Sequence, residues 1–406
     1  MLPMNHDVVV VGGGPVGLMC ALGLAKQGID VAVLEKSKEI SYTPRAISYA
    51  WPIFAGLEYF GLIEDMLSAG EIVDSRSWRV RKTGETISYN HDSVKDITNR
   101  PYSLTLGQDI IGEILVKHLS KYENAKIYWG TELKNVKQTD EIVKIEASTE
   151  HGVKTFESSW VIGCDGGRSN VRKELNLPFN GFTWPERFVA TDIYYDFHAH
   201  GWDSGYLVDP DHGAVIYHLG RENLWRVTYG EDRNLPVESA GERIPEFMES
   251  ILPGSKQYDL VLFSPYSMHQ RSAPTYRKGR VLLAGDAAHV TNPTSGFGLM
   301  GGLYDAFTLI EPLAAVVKGD VGDEILDQYS KERLKVYIEV TSPVSSESKR
   351  IVFNGNDPDR LAWDLSVLKW RLSDTAAMRR FMSVPALLET PCLLTGKTLS
   401  EKLKEI

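Results

Sequence analysis

The sequence predicts an α/β fold in which a domain with a parallel sheet is interrupted by a domain with an antiparallel sheet and is followed by a helical C-terminus. An apolar strand, a glycine-rich turn, a helix and a second strand occupy the first 35 residues. Aromatic and β-branched residues with frequent turn signals dominate residues 183–270. A buried-strand pattern then returns, followed by helical segments. We therefore expect one domain at 1–182 plus 271–350, a second at 183–270 and a helical segment at 351–406.

The predicted elements of the first domain begin with four consecutive valines at 8–11, which are typical of a strand buried on both faces of a parallel sheet. Residues 18–27 favour a helix that ends at Gly28, and residues 30–34 favour a second strand. Further elements follow from apolar periodicity. They are helices at 53–67 and 108–122 and strands at 126–129, 133–138, 141–148, 153–157 and 160–164.

The second half of the chain predicts an antiparallel sheet with one helix, at 237–250, inside residues 183–270. Residues 280–284 have the pattern of a buried strand and end in a Gly-Asp pair. Helices are predicted at 298–318, 322–350 and 358–381.

Composition excludes several classes of protein. The 406 residues are 43% hydrophobic and carry a net charge of −10, which suits a globular protein and disfavours nucleic acid as a partner. Three separated cysteines disfavour a disulfide framework and a cysteine-rich metal site, and we expect no metal. Neither a signal peptide nor an apolar run long enough to span a bilayer is evident. We expect a cytoplasmic protein without a membrane partner.

Glycines after the first strand match the GxGxxG fingerprint through Gly12, Gly14 and Gly17, with Pro15 and Val16 between them. Such glycines permit a tight turn, a close approach of backbone to pyrophosphate and close packing of helix on strand. Glu35 ends the second strand, where an acidic group can bind an adenosine ribose. This pattern predicts a Rossmann-type dinucleotide site and leaves open whether the dinucleotide is FAD or NAD(P).

A second glycine-rich stretch at 296–301 lacks the preceding strand and the later acidic residue of a fingerprint. We interpret it as a loop that approaches a flat ligand and then begins a helix, whose N-terminus favours negative charge. Two further motifs precede this glycine-rich stretch in the chain. They are the segments RVLLAGDAAH at 280–289 and CDGGRSNVR at 164–172.

Together, these motifs resemble the single-component (class A) FAD-dependent aromatic hydroxylases, the group typified by para-hydroxybenzoate hydroxylase. The resemblance covers residues 5 to 320 and implies FAD as the cofactor. It also implies that NADPH or NADH reduces the flavin, that O2 forms a flavin C4a-hydroperoxide, and that this species hydroxylates a small aromatic, phenolic substrate. No second Rossmann unit is evident for the nicotinamide, and the oligomeric state stays open, a homodimer included.

The resemblance also implies roles for matching residues. Glu35, followed by Lys36, would hold the adenosine ribose, and Asp286 the ribityl chain and pyrophosphate. The remaining cofactor contacts implied are Arg45, Gln108, Asp165, Arg168, Arg172, Pro293, Gly296, Gly298, Leu299 and Met300. Arg45 and the carbonyl of Pro293 would also lie near the reacting edge of the flavin. From the residues alone, Asp165 and Asp286 can instead cap turns, and Arg172 can form a surface ion pair.

Candidates for contact with the substrate lie on predicted strands of the second domain: Tyr206, Tyr217, His218 and Arg226. Tyr217 and His218 are adjacent, so on a strand only one of them can line the pocket. His218 can deprotonate a phenol or be a satisfied histidine of the fold. Arg226 can bind a substrate carboxylate or lie on the sheet surface, and the tyrosines can serve core packing.

Other functions remain compatible with a flavin site. A related oxygenase that performs Baeyer–Villiger, epoxidising or dearomatising chemistry would use the same motifs. An FAD-dependent reductase or cyclase would turn over without oxygen, and a non-enzymatic flavin module would show no substrate-stimulated NAD(P)H oxidation.

Overall fold

The structure, a computed structural model, describes residues 3–42, 46–353 and 357–405. Its strands are β1 (Met4–Val11), β2 (Val31–Leu34), β3 (Ser48–Ala50), β4 (Glu71–Val73), β5 (Ser75–Val80), β6 (Thr86–Asn90), β7 (Ser103–Thr105), β8 (Ala125–Tyr128), β9 (Glu132–Gln138), β10 (Val143–Thr149), β11 (Gly152–Gly163), β12 (Asn180–Tyr194), β13 (Gly205–Val208), β14 (Ala214–His218), β15 (Leu224–Asp232), β16 (Asp259–Ser272), β17 (Arg277–Lys278), β18 (Val281–Leu283) and β19 (His289–Val290).

Its α-helices are α1 (Pro15–Lys26), α2 (Phe54–Tyr59), α3 (Ile63–Ala69), α4 (Gln108–Leu119), α5 (Asn170–Glu174), α6 (Ala240–Ile251), α7 (Phe297–Lys318), α8 (Ile325–Val336), α9 (Ser342–Phe353), α10 (Pro358–Ser373), α11 (Thr375–Met382) and α12 (Leu399–Leu403). A π-helical turn, Tyr337–Thr341, joins α8 to α9. The predicted helix 53–67 is two helices, because Gly61 adopts a left-handed conformation (φ +77°) between α2 and α3.

The first sheet has the strand order β17-β18-β11-β1-β2-β8, with β10 and β9 attached to β11. Strands β18, β11, β1, β2 and β8 are parallel, as the valine run predicts, and the side chains of Val8–Val11 are at most 4% exposed. Helix α1 packs closely on α7, since a Cβ on Gly23 would lie 2.2 Å from Cδ1 of Ile310. This layer forms the larger hydrophobic core of the protein.

The second sheet has the strand order β19-β16-β12-β15-β14-β13-β5-β6. One face packs against α6, where Trp225, Val227 and Tyr229 meet Ile244 and Met248. The opposite face packs against the C-terminal helices and holds a separate apolar cluster. The α/β fold class with a parallel sheet, an antiparallel sheet and a helical C-terminus is thus confirmed.

The range predicted for the second domain, 183–270, leaves out three strands of this sheet, which are β5, β6 and β19. Strand β5 pairs in parallel with β13, and β6 extends the edge. The sequence does not indicate this pairing because the partner residues, such as Trp78 and Tyr206, lie far apart in the chain. The domain boundaries stay a prediction, while the structure places the strands β5 and β6 in the second sheet.

One described helix, α7, has the length and hydropathy of a membrane span. In its most apolar window, 78% of the residues are buried inside the protein, between α1 and the Gly-Asp turn that follows β18. Its apolar character therefore reflects its place in the core.

Candidate active site

Four parallel strands end side by side at one edge of the first sheet. The pairing places Val11 beside both Leu34 and Gly163, and Gly163 beside Leu283. The GxGxxG turn, Glu35, the CDGGR segment and the Gly-Asp pair directly follow these four strand ends, so these motifs meet at this edge. The carboxyl edge of a parallel sheet is where α/β folds bind ligands.

The glycine turn after β1 shows three different constraints. Gly12 has φ +111°, and a Cβ there would lie 2.3 Å from the carbonyl oxygen of Cys164. A Cβ on Gly17 would lie 2.0 Å from the carbonyl oxygen of Gly12. In contrast, a Cβ on Gly14 would meet no heavy atom within 4 Å. Gly14 therefore borders open space at the N-terminus of α1, where Pro15 is the first helical residue, and this cradle fits a pyrophosphate.

The carboxylate of Glu35 is fixed beside this turn. Its Oε2 accepts a hydrogen bond from the backbone N–H of Gly13 (2.6 Å), and its Oε1 accepts one from Ser37 (2.8 Å). Each carboxylate oxygen retains a further lone pair for a ribose hydroxyl. Lys36 is exposed next to it.

The Gly-Asp pair after β18 forms a short 3-10 helix, Gly285–Ala287, on which Asp286 is exposed. This turn packs against the first turn of α1, since a Cβ on Gly285 would lie 3.0 Å from Cγ2 of Val16. A Cβ on Gly302 of α7 would lie 2.7 Å from the same methyl group. The fingerprint, the Gly-Asp turn and α7 therefore converge, as a shared dinucleotide requires.

A buried charge cluster that the sequence did not reveal holds the Gly-Asp turn. Asp305, on α7, accepts hydrogen bonds from the backbone N–H of Gly285 (2.9 Å), from Nε2 of His289 (2.8 Å) and from Nε of Arg333 (2.7 Å). Arg333 also donates to the carbonyls of Gly301 and Leu388. Burial opposes ionisation of Asp305, but His289 and Arg333 outweigh it and lower its pKa. Apolar periodicity, the only signal in α7, does not indicate such a cluster.

Two predicted cofactor residues, Asp165 and Arg172, form hydrogen bonds within the protein, and their contact with the cofactor stays a prediction. Asp165 accepts hydrogen bonds from Ser169 Oγ and from the backbone N–H groups of Asn170 and Val171, so it caps the start of α5. Arg172 is buried, so it does not form the surface ion pair that its sequence position allowed.

The guanidinium of Arg172 is hydrogen-bonded to backbone carbonyls. It donates to the carbonyls of Ala287 (2.7 Å) and Gly167 (2.8 Å), and it lies 3.6 Å from the ring centroid of Phe179. It therefore ties the CDGGR segment to the Gly-Asp turn. Arg168 is exposed.

Buried hydrogen bonds hold the loop between β19 and α7. Asn292 is fully buried, and both its backbone N–H and its Nδ2 donate to Oε1 of Gln270. The side chain of Asn292 in turn caps a short 3-10 helix, Pro293–Ser295. Gly296 has φ +74° and turns the chain into α7, whose first residues include Gly298, Leu299 and Met300. Pro293 is exposed, so its carbonyl and the N-terminus of α7 lie on the same loop surface.

Two further residues, Gln108 and Arg45, were predicted to contact the cofactor. Gln108 is the first residue of α4 and is half-buried. Arg45 lies outside the described residues.

The second sheet turns one face toward this loop. Tyr206 and Tyr217 lie on that face, and the hydroxyl of Tyr206 donates to the carbonyl oxygen of Thr294 (3.0 Å). Arg226 lies opposite Tyr217 on β15 but does not offer a free charge. Its guanidinium forms a bidentate pair with Asp192 at 2.6 and 2.7 Å, so its charge is already neutralised, and its role as a substrate carboxylate ligand stays a prediction.

His218 lies on the opposite face of the sheet, so the alternation of β14 is settled in favour of Tyr217. The ring of His218 packs beside Trp225, its Nδ1 binds Glu71, and its Nε2 donates to the carbonyl of Glu222 (2.6 Å). The contacts of this histidine match the alternative of a satisfied residue of the fold, and its role as a base for the substrate stays a prediction.

The pair of His218 with Glu71 predicts a pH dependence of stability. The hydrogen bond that His218 donates to the carboxylate of Glu71 raises the pKa of His218, against the opposing effect of burial. This contribution to stability is complete below the unfolded pKa of about 6.5 and is lost as pH rises through the higher folded-state value. We expect His218→Gln to lower the free energy of unfolding more at about pH 6 than at about pH 9. Urea titrations of wild type, His218→Gln and the exposed control His151→Gln measure this, and a pH-independent difference would contradict it.

A parallel sheet whose strand ends carry these motifs, facing an antiparallel sheet, is the arrangement of flavin-dependent monooxygenases. The chain belongs to this class: residues 5–343 match the model of the FAD binding domain family. It is 40% identical over 402 residues to para-nitrophenol 4-monooxygenase of Pseudomonas sp. (strain WBC-3), covering 98% of both chains. It is also 40% identical over 355 residues to 6-hydroxy-3-succinoylpyridine 3-monooxygenase of Pseudomonas putida, covering 87% of this chain and 90% of the relative.

The crystal structure of p-nitrophenol 4-monooxygenase from Pseudomonas putida superposes with a TM-score of 0.92 at 38% identity, over 95% of this chain and 99% of that one. The chain is therefore an FAD-dependent oxidoreductase of the aromatic monooxygenase family, as its motifs predicted. The alternative oxygenase, reductase and cyclase chemistries are not favoured by these relatives.

Proposed function

We propose that this enzyme uses NAD(P)H and O2 to hydroxylate a small phenolic substrate held between the second sheet and the loop 292–300. Relatives of 40% identity are named for para-nitrophenol and for a hydroxylated pyridine, which are both small aromatic rings with an oxygen substituent. Their shared chemistry supports the same substrate class for this chain.

One observation carries the location. The hydrogen bond from Tyr206 to the carbonyl of Thr294 joins the sheet face to the residue that follows Pro293. A ligand on that face is therefore adjacent to the loop predicted to approach the flavin ring. The ring of Trp78 packs 4.5 Å from that of Tyr206 and, with Val215, forms an apolar wall. Such a wall excludes water from the reacting groups.

The residues at the sheet edge fit FAD. The N-terminus of α1 and Gly14 would hold the pyrophosphate, Glu35 the adenosine ribose and Asp286 the ribityl hydroxyls. The backbone N–H groups at the start of α7 would stabilise negative charge on the flavin ring without reorganisation. When bound, FAD supplies the transfer of electrons from NAD(P)H to O2 and of one oxygen atom to the substrate.

Replacing Asp286 by alanine tests the cofactor assignment. We expect the variant to purify largely without FAD, because the hydrogen bonds of a carboxylate with the ribityl chain are charge-assisted and therefore strong. The absorbance of flavin per polypeptide measures the effect, with the exposed Asp320→Ala as a control. Stoichiometric FAD with unchanged affinity in Asp286→Ala would remove the carboxylate from the site.

The activity itself is tested on the purified holoenzyme with 4-nitrophenol and a panel of phenols. We expect a substrate to stimulate the loss of NADH or NADPH together with oxygen uptake, and ¹⁸O from labelled O2 to enter the product. Oxygen uptake without labelled product, or turnover without oxygen, would refute the proposed hydroxylation.

A further inference from the structure

Arg76 is a cation on the same sheet face as Tyr206 and Tyr217. It lies on β5, which pairs in parallel with β13, and its guanidinium carbon is 5.2 Å from the ring centroid of Tyr217. The Nη2 atom of Arg76 donates a hydrogen bond to Oγ of Ser48 (2.7 Å). No local sequence pattern marks Arg76 as a site residue, because β5 enters this sheet from a distant part of the chain.

The charge of Arg76 lacks an acidic partner. Among residues 3–42, 46–353 and 357–405, its neighbours are tyrosines, a serine and a histidine, and the remaining positions contain no aspartate or glutamate. Its Nε is buried without a hydrogen-bond partner. An unpaired charge and an unmet donor are costly inside a protein. On the same face, Arg226 shows the usual solution, since Asp192 neutralises it with two hydrogen bonds.

The groups around Arg76 are donors or are neutral. Burial raises the pKa of Tyr89 to about 12 and that of Tyr206 well above its ordinary value, so both hydroxyls stay protonated. Burial also lowers the pKa of His91, which keeps its ring neutral. The Arg226–Asp192 pair adds no net charge. A ligand that complements this cluster must bring an acceptor and negative charge.

The cluster also lies beside the predicted flavin loop. A Cβ on Gly296 would be 3.8 Å from the carbonyl oxygen of Ser48, the residue whose hydroxyl binds Arg76. Tyr206 reaches the same loop through Thr294. The unpaired guanidinium is therefore at the proposed substrate position and not on a remote surface.

We propose that Arg76 selects the substrate by binding a negatively charged oxygen substituent of the aromatic ring. This inference rests on the proposed function and adds the residue that sets its specificity. The phenolate oxygen and an aromatic carboxylate share this chemistry. The guanidinium offers planar donors to either, and the Tyr217 ring beneath it limits its motion.

The test measures binding to the oxidised holoenzyme without NAD(P)H. The probes are 4-nitrophenol above its own pKa, 4-nitrobenzoate and the neutral 4-nitroanisole. We expect Arg76→Gln to weaken the binding of the anionic probes roughly tenfold or more, because a hydrogen bond to a charged group is lost. The affinity for 4-nitroanisole should change less than about threefold. Arg76→Lys keeps the charge and should retain part of the preference, and Arg79→Gln, on the opposite face of β5, should leave all affinities unchanged.

The outcomes separate the two proposals. The anionic probe that depends on Arg76 identifies its partner as a phenolate or a carboxylate. Equal affinity of Arg76→Gln and wild type for the anions, or an equal loss for all three probes, overturns the role of Arg76. If the Arg76→Gln variant does not retain FAD, the probe affinities of the wild-type enzyme are the test. The wild-type enzyme must then bind an anionic probe more tightly than 4-nitroanisole. Failure of wild type to bind any probe would instead refute the proposed function.

Discussion

Asp305→Asn is expected to lower the free energy of unfolding by about 3–5 kcal/mol, because it removes one partner of a buried ion pair. Arg333 is only 1% exposed, so it cannot recover hydration when its counter-charge is lost. The backbone N–H of Gly285 also loses its charged acceptor, and we expect weaker retention of FAD at the adjacent turn. Urea unfolding and the flavin content of the purified variant measure both effects.

The matched control for this prediction is Asp323→Asn. Asp323 pairs with Arg277 at the surface, where its side chain is 52% exposed, and such pairs contribute about 0–1 kcal/mol. The pKa of Asp305 is lowered, so its contribution is present at neutral pH and is lost as pH falls through the folded-state pKa. Equal unfolding midpoints for Asp305→Asn and Asp323→Asn would show that the buried cluster is not a principal support.

Gly14→Ala is expected to separate FAD binding from folding. The backbone at Gly14 (φ −74°, ψ 172°) suits any residue, and no protein atom would meet the new methyl group. The free energy of unfolding of the apoprotein should therefore change by less than about 0.5 kcal/mol. The methyl group fills the space next to the α1 N-terminus, so FAD affinity should fall roughly tenfold or more. Reconstitution of apoprotein with FAD, followed by flavin fluorescence, measures the affinity.

Gly12→Ala should instead prevent stable folding, because its methyl group would overlap the carbonyl of Cys164. Gly152→Ala is the control for backbone strain alone, since Gly152 has φ +106° with open space around it and should cost about 1–2 kcal/mol. If Gly14→Ala binds FAD as tightly as wild type does, the cradle assigned to the pyrophosphate is wrong.

The dinucleotide site was predictable from the sequence because its signals are local. The strand, the glycine turn, the helix and Glu35 occupy one continuous segment. Backbone sterics demand Gly12 and Gly17, whereas Gly14 leaves open space for a ligand. The Gly-Asp turn and the loop before α7 likewise follow from short patterns. Their convergence follows from a rule of parallel sheets, since residues after neighbouring strands meet at one edge.

The substrate side was less predictable because its contacts are between distant segments. Strand alternation showed that either Tyr217 or His218 faces the pocket, but only the packing of Trp225 against α6 decided which. Arg226 seemed available until β12 placed Asp192 beside it. The contacts of Arg172 were unpredictable for the same reason, because its partners are backbone carbonyls, which no sequence pattern identifies.

The sequence by itself determined the class of fold, the nature of the cofactor and the residues at the strand ends, since these depend on local conformation and repeat in short motifs. Only the tertiary structure brought β5 to β13, left Arg76 without an acidic partner among the described residues and placed Asp305 beside the Gly-Asp turn. Pairing between remote segments depends on which surfaces bury together, and a burial partner is not encoded in the spacing of neighbouring residues.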